Sequence, residues 1–395
     1  MPPLTFTDAR AVVLSETAKD RRFPEVETVP LDSAAGRVLA RDAAADRDYP
    51  PFDRAMRDGF AVRAVDLPGT LRIAGEIRAG QHFEGAVQAG EAIEIMTGAP
   101  VPASADAVVM VEHCELHGED VFIARKLESG ANIAPRASEA RASGIVVARG
   151  ARLEYPGIAW LATTGRSKVE VFARPRVAIV STGDEIVEIG QEPAPHQIRN
   201  SNGWSLSAQV RRAGGIPVRM PVARDTVEDT RWIVEQALES DMLLLSGGVS
   251  AGRYDVVEAV LAELGAEFYF DRVLIQPGQP LVFGRVQGKF FFGLPGNPVS
   301  GMVTFEVFAR AALDLLSGAS ETRLPLALAR LSARFTHKPG LTRFLPGRLQ
   351  GGEVTPVEWH GSGDIAAVCR ANAFLMAAAD QPEYAAGDLI SVLPI

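Results

Sequence analysis

Residues 241–252 read DMLLLSGGVSAG, a short apolar run that stops at a serine and opens into a glycine-rich turn. A run this short and without polar alternation reads as a strand buried on both faces, as strands of a parallel sheet are. Two neighbours repeat the pattern: RVAIVST (176–182) runs into Gly183, Asp184 and Glu185, and FFFGLP (290–295) runs into Gly296, Asn297, Pro298, Val299 and Ser300. Helix-period segments lie between and after them: NGWSLSAQVRRAG (202–214), TVEDTRWIVEQALES (226–240) and YDVVEAVLAELG (254–265). The third places Val256, Val257, Val260, Leu261 and Leu264 on one side and stops at Gly265, as an amphipathic crossover helix should. A last helix starts with Asn297 at its cap and Pro298 at its first position, which is favourable start chemistry. Alternation of this kind predicts a mostly parallel three-layer α/β/α domain over 175–320.

The flanks have a different texture. DARAVVLSETAKD (8–20) reads as a helix capped by Thr7. From 45 to 137, short alternating runs such as LRIAGEI and AVVMVEHCEL are broken by turn residues, the pattern of a small β domain. Mixed character returns over 138–174, so 1–44 and 138–174 are expected to form one discontinuous domain around the insertion. Short strands over 321–395 predict a C-terminal β domain.

The chain has 395 residues, 47% of them hydrophobic, enough for several cores because one core rarely grows past roughly 250 to 300 residues. Forty basic against 49 acidic residues give a net charge of −9, which repels a phosphate backbone and argues against nucleic acid. No apolar run approaches the ~18 residues of a membrane span, and the opening MPPLTFTDAR lacks the layout of a secretory signal. A cytoplasmic location without membrane contact is the expectation. Two cysteines cannot build a disulfide framework. His113, Cys114 and His117 have a metal-like look, but on an alternating strand His113 and Cys114 would point to opposite faces.

Ligands collect beyond the carboxyl ends of strands in an open α/β sheet. The three strand-end loops pair small residues, which let backbone N–H groups approach an oxyanion, with hydroxyls and carboxylates that orient it or hold a cation. Turn-making and helix capping account for any one of them; all three together point to a phosphate-bearing ligand. Neither GxGxxG nor GxxxxGK[ST] occurs, so a dinucleotide Rossmann site and a P-loop are unsupported. A further candidate is PPFDRAMRDGFAV (50–62), whose Asp53, Arg54, Arg57 and Asp58 either pair with one another or project into a cleft.

Taken in order, these motifs resemble the molybdopterin molybdenumtransferases (molybdenum insertases), the family that includes the E domain of gephyrin. The resemblance runs through PPFDRAMRDGFAV, MTGAPVPASADAVVMVE, GANI, RASEARASG, VSTGDEIVE, IRNSN, LLLSGGVSAGRYD, QPGQP, GLPGNPVSGMVTF and HGSGDI. It implies a four-part subunit in a homodimer, with the inserted β domain reaching across to the partner. The implied reaction is Mg²⁺-dependent hydrolysis of adenylylated molybdopterin, with molybdate inserted into the dithiolene and AMP released. Docking of a molybdopterin adenylyltransferase and of molybdoenzyme apoproteins goes with it. Carried over position by position, the resemblance gives catalytic roles to Asp58, Thr97, Glu139, Asp184, Glu185 and Asp255, with Glu185 and Asp255 as metal ligands. It assigns substrate contacts to Gly183, Ser246, Gly247, Gly248, Ser250, Arg272, Gln276, Gln279, Pro298, Ser300 and Ser362.

This chain departs from the family pattern at several places. QPGQP (276–280) stands where KPGKP is usual, so two lysines are neutral amides here, while Arg272 keeps a positive charge at a position usually lysine. Glu139 stands for the common Asp, Ala137 for Gly and Asn200 for Asp. The pattern GRxxFxR becomes GLTRFLP (340–346), losing both of its arginine positions, although Arg343 and Arg348 lie close. A carrier or scaffold that binds molybdopterin without turnover, and a hydrolase of another nucleotide pyrophosphate, are the rival readings.

Overall fold

The computed structural model describes residues 1–247, 256–322 and 324–395. The chain divides into two compact units. The larger holds Met1–Ala40, Arg149–Leu153 and Val169–Ile395, and the smaller holds Arg41–Ala148 and Glu154–Lys168.

In the larger unit, four parallel strands form one side of a six-stranded sheet in the order Ile216–Arg219, Arg176–Ser181, Met242–Ser246, Lys289–Leu294, followed by Val282–Val286, antiparallel to its neighbours, and Glu267–Phe270. Every residue of Met242–Ser246 is buried, as expected for a strand covered on both faces. Alternate side chains feed two cores. Val177, Ile179, Met242, Leu244, Phe290 and Phe292 join one; Ala178, Val180, Leu243, Leu245 and Phe291 join the other. Helices Val227–Ala237 and Val256–Glu263 bury Ile233, Val234, Val257, Val260 and Leu261 in the second core, the apolar stripe read from sequence.

The helix starting at Pro298 continues to Leu316 through a π-helical stretch at Phe305–Ala309. The N-terminal helix Phe6–Lys19 packs on it: the Phe6 ring meets those of Phe308 and Phe344 edge-on at 5.6 and 5.7 Å, and Arg10 Nη1 donates to the Val307 carbonyl at 2.6 Å. Its cap is Thr5, whose hydroxyl accepts from Asp8 N–H at 3.2 Å. The sequence expectation of Thr7 chose the wrong hydroxyl, because two threonines flank Phe6 and only the chain geometry separates them.

At the C-terminus, strands Thr342–Gln350, Glu353–Pro356, Ala327–Leu331, Leu389–Pro394 and Ala373–Ala377 pair in that order, and the last returns to the first. This small closed barrel leaves no free edge among the five. Ile275–Gln276 adds beside Thr342–Gln350 in parallel.

The smaller unit is built on a six-stranded sheet in the order Ala107–Met110, Gly59–Val62, Glu91–Ile95, Gly69–Ile77, Asp120–Ile123, Glu115–His117, with one apolar cluster on each face. Gly59 is required where the strands meet, since a Cβ there would lie 1.8 Å from the Val109 carbonyl oxygen. AVVMVEHCEL is not one strand. Val111–His113 forms a 3₁₀ turn, so His113 and Cys114 do not alternate on a strand. Arg125 Nη1 lies 3.0 Å from His113 Nε2, and the Cys114 thiol donates to the Met110 carbonyl at 3.3 Å. Burial, with the charge of Glu112 second, pushes that thiol up to about 11, which leaves it protonated at neutral pH.

Phe283 stacks with Phe292 at 4.7 Å and with Phe290 at 5.9 Å and is fully buried. Phe283→Ala is expected to cost about 3 to 5 kcal/mol of unfolding free energy, read from urea denaturation of the full chain.

Candidate functional site

The three loops singled out in the sequence emerge at one level. On the parallel ladders Ser181 stands opposite Ser246, and Ser246 opposite Leu294. Backbone bonds carry the alignment into the loops: Thr182 N–H donates to the Ser246 carbonyl at 3.0 Å, and Gly247 N–H donates to the Leu294 carbonyl at 3.2 Å. Gly247 has φ +93°, and a Cβ on it would sit 2.7 Å from the Thr182 carbonyl oxygen. No other residue fits this crossing.

Asn202, at the start of helix Asn202–Arg212, joins two of the three loops. Its Nδ2 donates to Ser246 Oγ at 2.8 Å and to the Gly296 carbonyl at 2.7 Å. Its Oδ1 is buried and lacks a hydrogen-bond partner among the described residues, as does Thr182 Oγ1. Unmade bonds of this kind are expensive inside a protein, so these two atoms mark a rim built to receive polar groups of a ligand. Neighbouring Asn200 has a structural task instead: its buried Oδ1 accepts from Ser181 Oγ at 3.0 Å and from Gly203 N–H at 2.9 Å.

Carboxylates gather beside the rim. Asp184 Oδ1 accepts from Asp225 N–H at 3.3 Å, and the Glu185 carboxylate lies over Gly183, where a Cβ would come within 2.5 Å of it. Asp225 enters from the loop after the edge strand Ile216–Arg219. Burial, then the charges of Asp184 and Glu185, raise its pKa. No group of three acidic residues among those described is arranged to hold a metal ion. Gly248, Ser250 and Asp255 lie outside the described residues.

A second group of predicted positions converges at the start of the helix Pro298–Thr304. Val299 N–H donates to the Ser362 carbonyl at 3.0 Å. Gly278, between Gln276 and Gln279, packs so closely that a Cβ would lie 2.5 Å from Thr304 Cγ2 and 3.7 Å from the Ser300 carbonyl oxygen. Gln276, Gln279, Pro298, Ser300 and Ser362 are therefore neighbours; both glutamines are exposed and Ser300 is buried. Asn297 occupies the cap without a side-chain bond. Arg272 is exposed, and its carbonyl accepts from Leu4 N–H at 3.1 Å.

In the smaller unit the loop at 50–58 organises the remaining positions. Asp53, Arg54 and Asp58 find partners outside the loop, not among themselves. Asp58 Oδ1 accepts from Thr97 N–H at 2.6 Å, and that bond, together with one from the Thr97 side chain, lowers the Asp58 pKa. Arg54 pairs with Glu139 at 2.8 Å, and Asp53 Oδ1 accepts from Arg136 N–H at 2.8 Å. Glu139 is thus placed in an exposed ion pair on this loop.

Sequence reasoning missed Asn202 and Asp225. Asn202 sits in the quoted IRNSN, but its role exists only once three loops far apart in the chain meet. Asp225 belongs to no motif.

Asn202→Ala would strand Ser246 Oγ and the Gly296 carbonyl; we expect a loss of about 2 to 3 kcal/mol, against less than about 0.5 kcal/mol for exposed Gln276→Ala, both by chemical denaturation. Asp225→Asn removes a carboxylate whose pKa is raised in the fold. The burial cost of the charged form, and the repulsion that adds to it, act above that raised value and fade as pH falls through it. The variant should melt higher than the parent at neutral pH, with the gain closing in acid, by calorimetry across a pH series.

Three family models match the chain in order: "MoeA N-terminal region (domain I and II)" at residues 4–165, "Probable molybdopterin binding domain" at 178–315 and "MoeA C-terminal region (domain IV)" at 328–395. The molybdopterin molybdenumtransferase of Staphylococcus epidermidis is 34% identical over 379 residues, spanning 92% of this chain and 90% of its own. That of Staphylococcus aureus is 32% identical over 379 residues, with 93% and 90% covered. The crystal structure of a molybdopterin biosynthesis MoeA protein from Pyrococcus horikoshii superposes over 100% of both chains with a TM-score of 0.78 at 27% identity. Full-length similarity at this level, with the predicted multidomain fold, establishes that the chain is an enzyme of the molybdopterin molybdenumtransferase family.

Proposed function

We propose that this enzyme of molybdenum cofactor biosynthesis hydrolyses adenylylated molybdopterin in a Mg²⁺-dependent reaction, with molybdate inserted into the dithiolene and AMP released. The observation that carries the reading is the row of aligned strand ends where Thr182 Oγ1 and Asn202 Oδ1 are buried without partners among the described residues, with Asp184 and Glu185 on the same rim.

Glu185, with Asp184 beside it, would hold Mg²⁺, which would neutralise phosphate charge and make the anhydride phosphorus more open to attack. The chain's own groups do the rest. Thr182 Oγ1 can donate to a phosphate oxygen, and Asn202 Oδ1 can accept from a hydroxyl or amino group, which sets the orientation of the ligand. Gly183 and Gly247 admit it close to the backbone. Ser246, Pro298, Ser300, Ser362, Gln276, Gln279 and Arg272 are read as its wider binding surface, joined by Gly248 and Ser250. Asp255 is read as a further metal ligand. Asp58, Thr97 and Glu139 complete the proposed catalytic set.

The same reading carries a homodimer, a four-part division of the subunit (1–44 with 138–174, 45–137, 175–320 and 321–395), a cytoplasmic location, and docking of a molybdopterin adenylyltransferase and molybdoenzyme apoproteins. No helix among the described residues is long and apolar enough to cross a membrane. One observation favours the carrier reading: the exposed amides of Gln276 and Gln279 offer a dianion no charge.

The test is AMP release by the pure protein from adenylylated molybdopterin with Mg²⁺ and molybdate. Turnover supports the insertase reading, and tight pterin binding without AMP supports the carrier. Glu185→Gln should raise the Mg²⁺ concentration for half-maximal AMP release about tenfold or more, in line with loss of one charge from a shared site.

A further inference from the structure

The helix Asn202–Arg212 and the helix beginning at Pro298 both start at the rim and are joined at two levels. At the rim, Asn202 Nδ2 donates to the Gly296 carbonyl at 2.7 Å. Seven residues on, about 10 Å along the helix and on nearly the same face, Gln209 Nε2 donates to the Met302 carbonyl at 3.0 Å and to Glu306 Oε1 at 2.9 Å. Arg212 Nη2 donates to the same carboxylate oxygen at 2.8 Å. Arg310 Nη1, one turn beyond Glu306 on its own helix, donates to Glu306 Oε2 at 3.0 Å.

Glu306 sits in an unusual place for a carboxylate. It is 6% exposed and belongs to the π-helical stretch Phe305–Ala309, in which Arg310 N–H bonds to the Phe305 carbonyl five residues back. Single π turns inside α-helices recur at functional sites. An acid this buried persists only when paired and hydrogen-bonded, and both of its oxygens are engaged. Buried ion clusters add little net stability over apolar packing; their best-attested use is to fix the register of the elements they join. Apolar contacts already hold these two helices in one core through Leu206, Val210, Val299 and Val303. Gln209, Arg212 and Glu306 all fall outside the ordered motifs that carry the family resemblance.

We propose that Glu306 is a positioning residue: through Gln209 and Arg212 it sets the register of helix Asn202–Arg212 against the Pro298 helix, and so the place of Asn202 between Ser246 and Gly296. Asn202 Nδ2 must reach Ser246 Oγ and the Gly296 carbonyl at once. A shift of either helix along the other would break one of those bonds and turn the Asn202 Oδ1 acceptor away from its ligand. The role in turnover rests on the insertase reading; the link between the helices does not.

The experiment is a double-mutant cycle on the full chain between Glu306→Gln and Asn202→Ala, read first as unfolding constants in urea. No hydrogen bond among the described residues joins Asn202 to Glu306 directly, so effects of independent origin multiply to within about twofold. We expect the change that Asn202→Ala makes in the unfolding constant to shrink about fivefold or more in the Glu306→Gln background, because its two bonds are already weakened there. Arg212→Gln, which removes the cross-helix bond from the other side, should reproduce that coupling, and Arg212→Lys, which keeps the charge, should behave as the parent. The second readout is AMP release: kcat/KM for adenylylated molybdopterin should fall about fivefold or more on Glu306→Gln in the parent, and by less than about twofold in the Asn202→Ala background. Effects that multiply in unfolding overturn the proposal; coupling in unfolding with kcat/KM unchanged by Glu306→Gln overturns the role in turnover. Should Glu306→Gln unfold, Arg212→Gln, at an exposed position, carries the same cycle. Absence of AMP release by the parent counts against the insertase reading alone, and the unfolding cycle still decides whether Glu306 holds Asn202 in place.

Discussion

The level at which three parallel strands stop governs everything functional in the larger unit. Ser181, Ser246 and Leu294 stand in one row across the sheet. The loops that follow them consequently begin side by side, close enough for one amide, that of Asn202, to reach two of them. A one-residue slip would turn Ser246 into one of the cores and break that bridge, because alternate residues serve opposite faces. The apolar burial on both sides therefore fixes the geometry of the polar rim. Register is set by Leu243, Leu244 and Leu245 in the two cores, and the site inherits it.

What the sequence made legible follows from how local each signal is. The buried strands, the crossover helix ending at Gly265 and the Pro298 helix start are written in contiguous residues, and the structure has them there. The cap of the first helix was displaced from Thr5 because Thr7 offers the same chemistry two residues on. His113 and Cys114 were misread because a 3₁₀ turn interrupts an alternation that otherwise continues. Asn202 and Asp225 were invisible for another reason: their roles depend on partners dozens of residues away, and no spacing encodes them. The ordered motifs identified the family without stating which atoms would meet.

The second group of positions is held by close backbone packing. The loop with Gln276 and Gln279 keeps its packing, with Gly278 pressed against the Thr304 methyl group and Ser300. The neighbouring strand carries a cation at a position within the altered GLTRFLP stretch. A comparison made motif by motif records two losses. Arg343 stands across the ladder from Gln276 although 67 positions separate them in the chain.

The interleaving of the two units has a consequence for biosynthesis of the polypeptide. The smaller unit ends at Lys168, ahead of every strand of the parallel sheet, whereas the larger needs both Met1–Ala40 and the final residues to Ile395. On the ribosome the inserted unit is complete and able to fold while the sheet has not been synthesised, since domains generally fold as units. The Phe6 helix must meanwhile wait for Phe308 and Phe344. Its apolar face stays open until those residues have been made, so a helix synthesised before the parallel sheet is buried only after it.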